Sequence, residues 1–195
     1  MNSDQLALAG LAHDLNNVLH TLGQASDLLS TDPNWTDLAA TIANTVDRGR
    51  SIVASISEEP RDARLRDIAS DASRGCPIPV AIEVTNGIVL RCKPAALQRA
   101  LDNLFSNSVR AGAHRIDVAA SLIDGAARIE IRDDGSGIPP EILPNVFQPG
   151  VSATSSTGLG LHIVQSIVID HGGSVEAVNT DAGAQFTIRI PIVNR

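Results

Sequence analysis

Two glycine-rich segments in the second half of the chain have the residue types and spacing of a phosphate-binding site. The first is RDDGSGIPP (Arg132–Pro140), directly after a predicted strand, and the second is STGLGLHIVQSIV (Ser156–Val168), which opens a predicted helix. Gly158 and Gly160 let the backbone approach a ligand closely. The start of a helix also offers unpaired N–H groups and the positive end of its dipole to an anion. One of three consecutive hydroxyl residues would cap this helix: Ser155, Ser156 or Thr157.

The same spacing excludes two common nucleotide motifs. The segment Ile138–Pro140 cannot begin the helix that a dinucleotide site requires, and no third glycine falls at the right place. A P-loop would need Gly-Lys-Ser or Gly-Lys-Thr, whereas the only lysine in the chain is Lys93. A polyphosphate would therefore depend on backbone N–H groups and a divalent cation. Either glycine cluster alone is equally typical of an ordinary turn.

A predicted helix around RALDNLFSNSVRAG adds polar groups to this picture. Asn103 and Asn107 are four residues apart and share one helix face, and Arg110 follows three residues later. Two amides and a cation on one face are suited to a magnesium ion and phosphates, because magnesium prefers oxygen ligands and retains water. Asparagine in a helix is, taken singly, usually a solvated surface residue. The ordered set of an Asn pair, DDGSG and TGLGL is far more specific.

The stretch LAHDLNNVLHTL near the start of the chain carries two histidines on one predicted helix. At 100° per residue, His13 lies about 160° from Leu15 and faces away from the apolar stripe. His20, two turns further, shares that exposed surface, so periodicity does not choose between them. Chemistry favours His13, because the neighbouring Asp14 could orient a nucleophilic imidazole and accept its proton, whereas Thr21 beside His20 could not.

Composition and apolar periodicity indicate two units. The chain has 195 residues and a net charge of −7, which argues against nucleic acid and anionic membrane as partners. Residues 1–60 hold eight acidic and two basic residues, and residues 61–195 hold fourteen and thirteen. Apolar residues at three- and four-residue steps predict two helices within 1–60, with Pro33 ending the first and Asn34 capping the second. Such a hairpin buries both stripes if two copies form a four-helix bundle; the alternative is that it packs on its own chain.

Residues 61–195 are predicted to form an α+β sandwich rather than a doubly wound parallel sheet, because adjacent strands alternate with helices. The polar segment Ser57–Arg64 reads as a linker. Predicted helices are Leu65–Arg74, Pro94–Ala111 and Leu159–Asp170. Predicted strands are Val80–Thr85 and Ile88–Arg91, forming a hairpin around Asn-Gly, then Arg115–Ser121, Ala127–Arg132, Ser174–Val178 and Gln185–Ile190. Cys76 and Cys92 match no zinc or redox spacing, and no apolar run suggests a membrane span, which predicts a cytoplasmic protein.

These motifs, in this order, resemble the core of a bacterial sensor histidine kinase. DNLFSNSVRAG resembles the N box, DDGSGI the G1 box, NVFQPG around Phe147 the F box and TGLGLHIV the G2 box. LAGLAHDLNNVLHTL resembles the H box of the subclass that often reads VAHDFNNLL. The resemblance covers nearly the whole chain. It implies a dimerising, histidine-bearing hairpin (1–60) followed by the ATP-binding domain (61–195) shared with gyrase, Hsp90 and MutL.

The resemblance also implies roles for individual residues. Asp133 would bind the adenine amino group in a pocket shaped by Gly135 and Gly137. Asn107 would hold Mg²⁺, with Asn103 and Arg110 on the phosphate side. The G2 backbone around the phosphates would come from Thr157, Gly158, Leu159 and Gly160, and Phe147 would belong to the mobile lid. His13 would be the phosphoacceptor, and Asn17 would position water for dephosphorylating a partner response regulator.

We therefore expect an ATP-dependent protein histidine kinase that passes a phosphoryl group from His13 to an aspartate of a receiver domain, with a separate sensor protein or a ligand supplying the signal. One departure is the lid segment Gln148–Leu161, which contains no Lys or Arg. The absence of basic residues from this segment is also compatible with an alternative function, a phosphotransfer or regulator-binding protein with a vestigial ATP domain. A serine kinase of the anti-sigma type shares the ATP fold but generally lacks a His-bearing hairpin.

Overall fold

The computed structural model describes residues 3–29, 31–35, 38–39, 41–42, 45–46, 49, 53, 58–151 and 160–192. Within helix α1 (Ser3–Leu29), the description of side chains covers residues 11, 14, 15 and 17–29. The chain divides into two compact units, Met1–Glu59 and Pro60–Arg195. Within the described residues, no helix is both long and apolar enough to span a membrane.

The first unit is helical and folds back on itself. After α1, a 3-10 turn covers Pro33–Trp35, and the described positions between 38 and 53 are helical. The Ser26 hydroxyl donates a hydrogen bond to the carbonyl oxygen of Ala39 at 2.6 Å. A Cβ placed on Gly49 would lie 2.6 Å from the side chain of Leu19. Earlier residues of α1 therefore face later residues of the returning segment, as in an antiparallel pair.

The described part of the turn between these segments is held by Asp32. Asn34, the predicted cap of the second helix, lies inside the 3-10 turn, and residues 36–37 that it would cap lie outside the described residues. Its backbone N–H and its side-chain amide both donate to Oδ1 of Asp32, at 2.9 and 3.1 Å. The aspartate side chain thus accepts two local donors, a pattern typical of a turn.

A stripe of apolar side chains on α1 is exposed within the unit. Its members recur at four- and three-residue steps and are 41–60% exposed: Leu11, Leu15, Val18 and Leu22. The buried positions of the unit include Ser26, Ala39, Val46 and Val53. Contacts within one copy therefore leave the predicted stripe of α1 uncovered.

The second unit is an α+β sandwich, as predicted. Its main sheet has five strands, β2 (Val80–Val84), β4 (Ile116–Ile123), β5 (Ala126–Asp133), β7 (Ala184–Pro191) and β6 (Ser174–Asn179), in that spatial order. The β2–β4 pair is parallel and the other pairs are antiparallel. Burial alternates along β4, β5 and β7, so one face of the sheet is covered and the other is open.

Three helices cover that face: α2 (Leu65–Ser73), α3 (Pro94–Arg110) and α4 (Gly160–Asp170). Helix α3 lies between α2 and α4, while α2 contacts β2 and α4 contacts β6 and β7. The core between the layers is aliphatic, with Leu104, Ile131 and Val164 almost fully buried. Cys92 is buried and Cys76 is half-buried, and the two cysteines do not form a disulfide with each other.

Two strand predictions are wrong. Arg61–Arg64, read as part of a linker, forms strand β1, which pairs antiparallel with β3 (Val89–Cys92) in a separate two-stranded sheet. The predicted hairpin around Asn-Gly therefore does not form, because β2 pairs with β4 of the main sheet and β3 pairs with β1. By contrast, the predicted turn at Asp124 and Gly125 joins β4 to β5 directly, and both residues have positive φ, at 51° and 73°.

A histidine ties the start of α3 to the end of α4. The backbone N–H of Lys93 donates to Nε2 of His171 at 3.0 Å, so this nitrogen carries no proton. The Nδ1 of the same ring lies 2.7 Å from the carbonyl oxygen of Ile167 and is therefore the donor. The Lys93 ammonium adds an ion pair to Asp170 at 3.1 Å. The two helices that flank the site described next are thereby fixed to each other.

Candidate nucleotide site

The centre of the site is the carboxylate of Asp133, the last residue of β5. Only 6% of Asp133 is exposed. Its Oδ1 accepts hydrogen bonds from the backbone N–H groups of Gly135 and Ala184, at 3.0 and 3.1 Å. Its Oδ2 accepts a hydrogen bond from the Ser108 hydroxyl at 2.7 Å. Three donors from three different segments therefore fix a buried carboxylate at one orientation, as a ligand-recognising acid requires.

Glycines crowd around this carboxylate because no side chain would fit. A Cβ on Gly135 would lie 3.0 Å from the carbonyl oxygen of Ala111 and 3.2 Å from Oδ1 of Asp133. A Cβ on Gly183 would approach the backbone oxygen of Asp133 even more closely and would lie 2.7 Å from its Oδ1. Gly135, predicted to shape an adenine pocket, thus lies directly against Asp133.

The loop after Asp133 is held by a side-chain amide from β6. Asn179 accepts from the N–H of Ile138 at 2.8 Å and donates to the carbonyl of the same residue at 2.7 Å. Gly137 has a φ of 73°, and a Cβ there would lie 2.9 Å from Oδ1 of Asn179. Both the left-handed backbone and the close amide require glycine at this position. The G1 segment is thus a preformed loop.

Beside Asp133, the next carboxylate has a purely structural position. Oδ1 of Asp134 accepts the backbone N–H groups of His114 and Arg115, at 2.7 and 3.0 Å. These hydrogen bonds stabilise the ionised form and lower the pKa of Asp134. Asp134 closes the loop between α3 and β4 and is exposed, whereas Asp133 is buried.

The predicted asparagine pair of α3 lies next to the start of α4. A Cβ on Gly160 would lie 3.3 Å from Oδ1 of Asn103 and 3.9 Å from Oδ1 of Asn107. Asn103 donates to the carbonyl of Arg99 at 2.9 Å, which turns its own carbonyl oxygen towards Gly160. The structure therefore brings two of the predicted N-box residues to the one described G2 glycine. Thr157, Gly158 and Leu159 lie outside the described residues.

Asn107 is the predicted magnesium ligand, and its side chain offers one oxygen, which Arg110 already contacts. Its Oδ1 accepts from a guanidinium nitrogen of Arg110 at 3.0 Å. Its buried Nδ2 has no hydrogen-bond partner among the described residues. Among those residues, no three His, Cys, Asp or Glu side chains gather into a metal site. A cation here would be held by Asn107 and by oxygens of nucleotide phosphates and water, the coordination that magnesium favours.

Phe147 of the predicted F box packs against the core and lies beside the G2 helix. Its carbonyl oxygen is 3.2 Å from Nδ1 of His162 on the first turn of α4. The residue before the lid segment is thus anchored to the helix that follows that segment. This contact keeps the two ends of the lid close together.

In the first unit, the described side chains around the predicted phosphoacceptor are exposed: Asp14, Asn17 and His20. The backbone carbonyl of Asn17 accepts the Thr21 hydroxyl at 3.0 Å within α1, and the Asn17 residue is exposed. The backbone of His13 is helical, and its side chain lies outside the described part of α1.

These features together define a nucleotide-binding domain. They are a sandwich with one layer of helices, a buried carboxylate at the end of a central strand, and an asparagine pair beside a helix that begins with glycine. A comparison of the sequence with known protein families confirms the class of this domain. Residues 92–194 match the family described as histidine kinase-, DNA gyrase B-, and HSP90-like ATPase, and the chain belongs to this family. The predicted ATP-binding domain is therefore confirmed.

Individual relatives agree with that assignment. The sensory histidine kinase/phosphatase NtrB of Vibrio alginolyticus is 27% identical over 97% of this chain and 63% of its own length. The ATP-binding domain of PrrB from Mycobacterium tuberculosis is 27% identical, with a TM-score of 0.60 over 70% of this chain and all of that domain. Full-length ShkA, solved with AMPPNP, shares the fold with a TM-score of 0.69 at 20% identity, over 97% of this chain and 46% of ShkA. The chain thus spans less than two thirds of NtrB.

Sequence reasoning missed several residues of the pocket. Ser108 is not among the predicted site residues, although its hydroxyl donates to Asp133. Gly183 and Asn179 lie far along the chain from the motifs, in and before the turn between β6 and β7. The sequence does carry a signal for Gly183, since the turn Thr180–Gly183 separates two predicted strands.

Proposed function

We propose that this chain is an ATP-dependent protein histidine kinase of a two-component system. One observation carries the proposal. The second unit contains both the Asp133 carboxylate, which accepts three hydrogen bonds, and the close approach of Asn103 to Gly160. Asp133 would bind the base of the nucleotide, and Asn103 with Gly160 would bind its phosphate chain. The phosphoacceptor segment LAHDLNN in the first unit supplies the second half of the reaction.

The described residues would act mainly by binding and positioning. Asp133 would accept a hydrogen bond from the adenine amino group. Asn103, Asn107 and the backbone at Gly160 would hold the phosphate chain. Mg²⁺, when bound with the nucleotide, would neutralise phosphate charge, and Asn107 is the side chain suited to hold it.

In the transfer step, a neutral ring nitrogen of His13 would attack the γ-phosphorus. A nitrogen–phosphorus bond would form, the bond to the bridging oxygen would break and ADP would leave. Asp14 would accept the proton that the ring releases. The phosphoryl group would then pass to a receiver-domain aspartate, and Asn17 would position water when the chain acts as a phosphatase.

A second copy of the chain is the proposed cover for the exposed stripe of α1. Leu11, Leu15, Val18 and Leu22 form a row that water contacts in a single copy. Pairing two hairpins along this row would give a four-helix bundle with every stripe buried. The homodimer belongs to the proposal together with the response-regulator partner and a separate sensor.

The test is incubation of the full chain with Mg²⁺ and ATP labelled on its γ-phosphate. The expected product is an acid-labile, base-stable label that is lost in His13→Ala and retained in His20→Ala, which removes the exposed histidine of the same helix. Absence of label at every ATP concentration would contradict the kinase. A label that resists acid would instead indicate serine phosphorylation.

A phosphotransfer protein with a vestigial ATP domain is the second candidate. Two observations favour it: the segment Gln148–Leu161 contains no basic residue, and Arg110 already engages the Asn107 oxygen proposed for Mg²⁺. Calorimetry with a non-hydrolysable ATP analogue separates the two. Magnesium-dependent binding supports the kinase, and no binding together with phosphate acceptance by His13 from a phosphorylated receiver domain supports the alternative.

A further inference from the structure

A groove lies on the far side of helix α3 from the nucleotide site. It runs between α2 and α3 and is closed at one end by the segment Gly75–Pro77. Its volume is about 350 Å³, at the small end of the range of roughly 300–1,000 Å³ typical of small-molecule sites. Its walls are largely apolar and include Ala72, Phe105 and Val109.

Three polar side chains of α3 line this groove in one row. Gln98, Asp102 and Ser106 are spaced four residues apart and therefore share a helix face. Within the described part of the chain, none of these side chains forms a hydrogen bond or an ion pair. All their hydrogen-bonding capacity is thus available to a ligand or to water.

The charges around the groove are negative. Asp71 of α2 lines the opposite wall and is paired with Arg74 at 2.6 Å, so its charge is already balanced. Cys76 is the remaining titratable group of the lining. Although the Asp102 side chain is exposed as a whole, partial burial against the groove raises the pKa of its carboxyl group to about 6. Asp102 is therefore a partly desolvated carboxylate, and it forms no ion pair within the described residues.

We propose that this groove binds a small ligand bearing an ammonium or guanidinium group, with the Asp102 carboxylate as its counter-ion. Gln98 and Ser106 flank the carboxylate along α3 and supply hydrogen bonds to the rest of the polar head. The apolar wall formed by Phe105 and Val109 packs against the carbon chain of the ligand. Neither the site nor its test depends on kinase activity.

The test uses the full chain, labelled with ¹⁵N, and follows backbone amide signals in NMR titrations. The probe is n-butylguanidinium, and the control is n-butylurea, which has nearly the same shape without the charge. Saturable shifts at Gly75, Gln98 and Ser106 are expected with the guanidinium probe. Binding of the urea should be weaker by about tenfold or more, as expected for loss of a charge-assisted contact.

Asp102→Asn provides the matched variant, because it removes the charge and keeps the size of the side chain. Binding of n-butylguanidinium should be lost in this variant and retained in Asp134→Asn, which changes an exposed acid elsewhere. Binding should also tighten as the pH rises from about 5 to about 7, because the proposed counter-ion must be ionised. Equal responses to the two probes, binding that survives Asp102→Asn or the absence of saturable shifts would each overturn the proposal.

The cation could belong to a free metabolite or to the side chain of a peptide. A second arm therefore titrates an acetylated Gly-Arg-Gly amide and its citrulline counterpart. Binding of the small probe alone assigns the groove to metabolites. Tighter binding of the arginine peptide, again lost in Asp102→Asn, assigns the same site to a side chain of a partner protein.

Discussion

The hydroxyl group of Ser108 donates a 2.7 Å hydrogen bond to Oδ2 of Asp133. Ser108 is 1% exposed and lies near the end of α3, while Asp133 ends β5. The contact therefore joins the helix that carries the asparagine pair directly to the carboxylate proposed to recognise adenine. This buried hydrogen bond links the two halves of the candidate nucleotide site.

Ser108→Ala should lower the free energy of unfolding by about 1–2 kcal/mol, because a buried carboxylate loses a donor. Urea denaturation monitored by circular dichroism measures the change. Ser106→Ala on the same helix is the control, since it changes helix propensity equally but removes no hydrogen bond seen in the structure. Equal stability of the two variants would show that the buried contact contributes little.

Asp133→Asn should reduce ATP affinity by about tenfold or more. The amide retains only one oxygen as an acceptor, whereas Gly135, Ala184 and Ser108 all donate to the carboxylate. Calorimetric titration with a non-hydrolysable ATP analogue gives the dissociation constants. Asp134→Asn, its exposed neighbour, should bind the nucleotide as the unaltered chain does. A normal affinity in Asp133→Asn would remove this residue from base recognition.

Gly183→Ala should destabilise the second unit by about 1–3 kcal/mol or more, as overpacking does in a tightly packed interior. The added methyl group would meet the backbone and the carboxylate of Asp133. Gly75→Ala is the matched control, because no atom lies within 4 Å of its added methyl group. Thermal unfolding of both variants tests the difference. A melting temperature for Gly183→Ala close to that of Gly75→Ala would contradict the predicted clash.

Asp102→Asn should stabilise the protein in a pH-dependent way. Burial raises the pKa of the folded carboxyl from 3.8 to about 6, so the folded state binds this proton more tightly than the unfolded chain does. Ionisation of Asp102 therefore lowers the stability of the unaltered protein as the pH rises from about 4 to about 6, and this contribution is not regained at higher pH. After allowance for solvent screening, the variant should gain up to about 1 kcal/mol near pH 8 and nothing near pH 4.

Denaturation curves at several pH values test this, and Asp134→Asn supplies the opposite sign. The pKa of Asp134 is lowered by two backbone N–H groups, so its contribution is present at neutral pH and is lost as the pH falls through its folded pKa. Asp134→Asn should therefore be less stable than the unaltered chain at neutral pH. A pH-independent effect of Asp102→Asn would contradict the shifted pKa.

Val18→Glu should convert the proposed dimer into a monomer. Val18 is 56% exposed in a single copy, and a carboxylate there would be buried against a second hairpin at considerable cost. Sedimentation equilibrium measures the mass. Gln24→Glu, an exposed polar position of α1 away from the stripe, adds the same charge and should leave the dimer intact. A monomeric unaltered chain at high concentration would contradict the proposed assembly.

The parts of the fold set by local patterns were predictable from sequence. The β4–β5 hairpin follows from two alternating segments around Asp124-Gly125, and α3 follows from its periodic apolar face after Pro94. Strand β1 was not predictable in this way, because Arg61–Arg64 has no alternation and extends only by pairing with β3. Pairing between distant strands likewise overrode the Asn-Gly turn signal between β2 and β3.

The residues of the candidate site likewise include some that were predictable from sequence and some that were not. Asp133 and the Asn103–Asn107 pair belong to compact motifs, so the order and spacing of residues are enough to identify them. Ser108, Asn179 and Gly183 act through contacts with residues far away in sequence, and single-sequence reasoning gives those contacts no weight. The choice of His13 over His20 remains a prediction that the phosphorylation assay addresses.

The hydrogen bonds of Asp133 limit which purine this carboxylate, proposed to recognise adenine, could accept. A carboxylate offers about four acceptor positions. Both positions on Oδ1 are taken by backbone N–H groups and one on Oδ2 by Ser108, within the described residues. One lone pair remains for a base, and it can only accept. Adenine presents an amino donor at its six-position, whereas guanine presents a carbonyl oxygen that would face this lone pair and be repelled, so GTP should be a poor substitute for ATP.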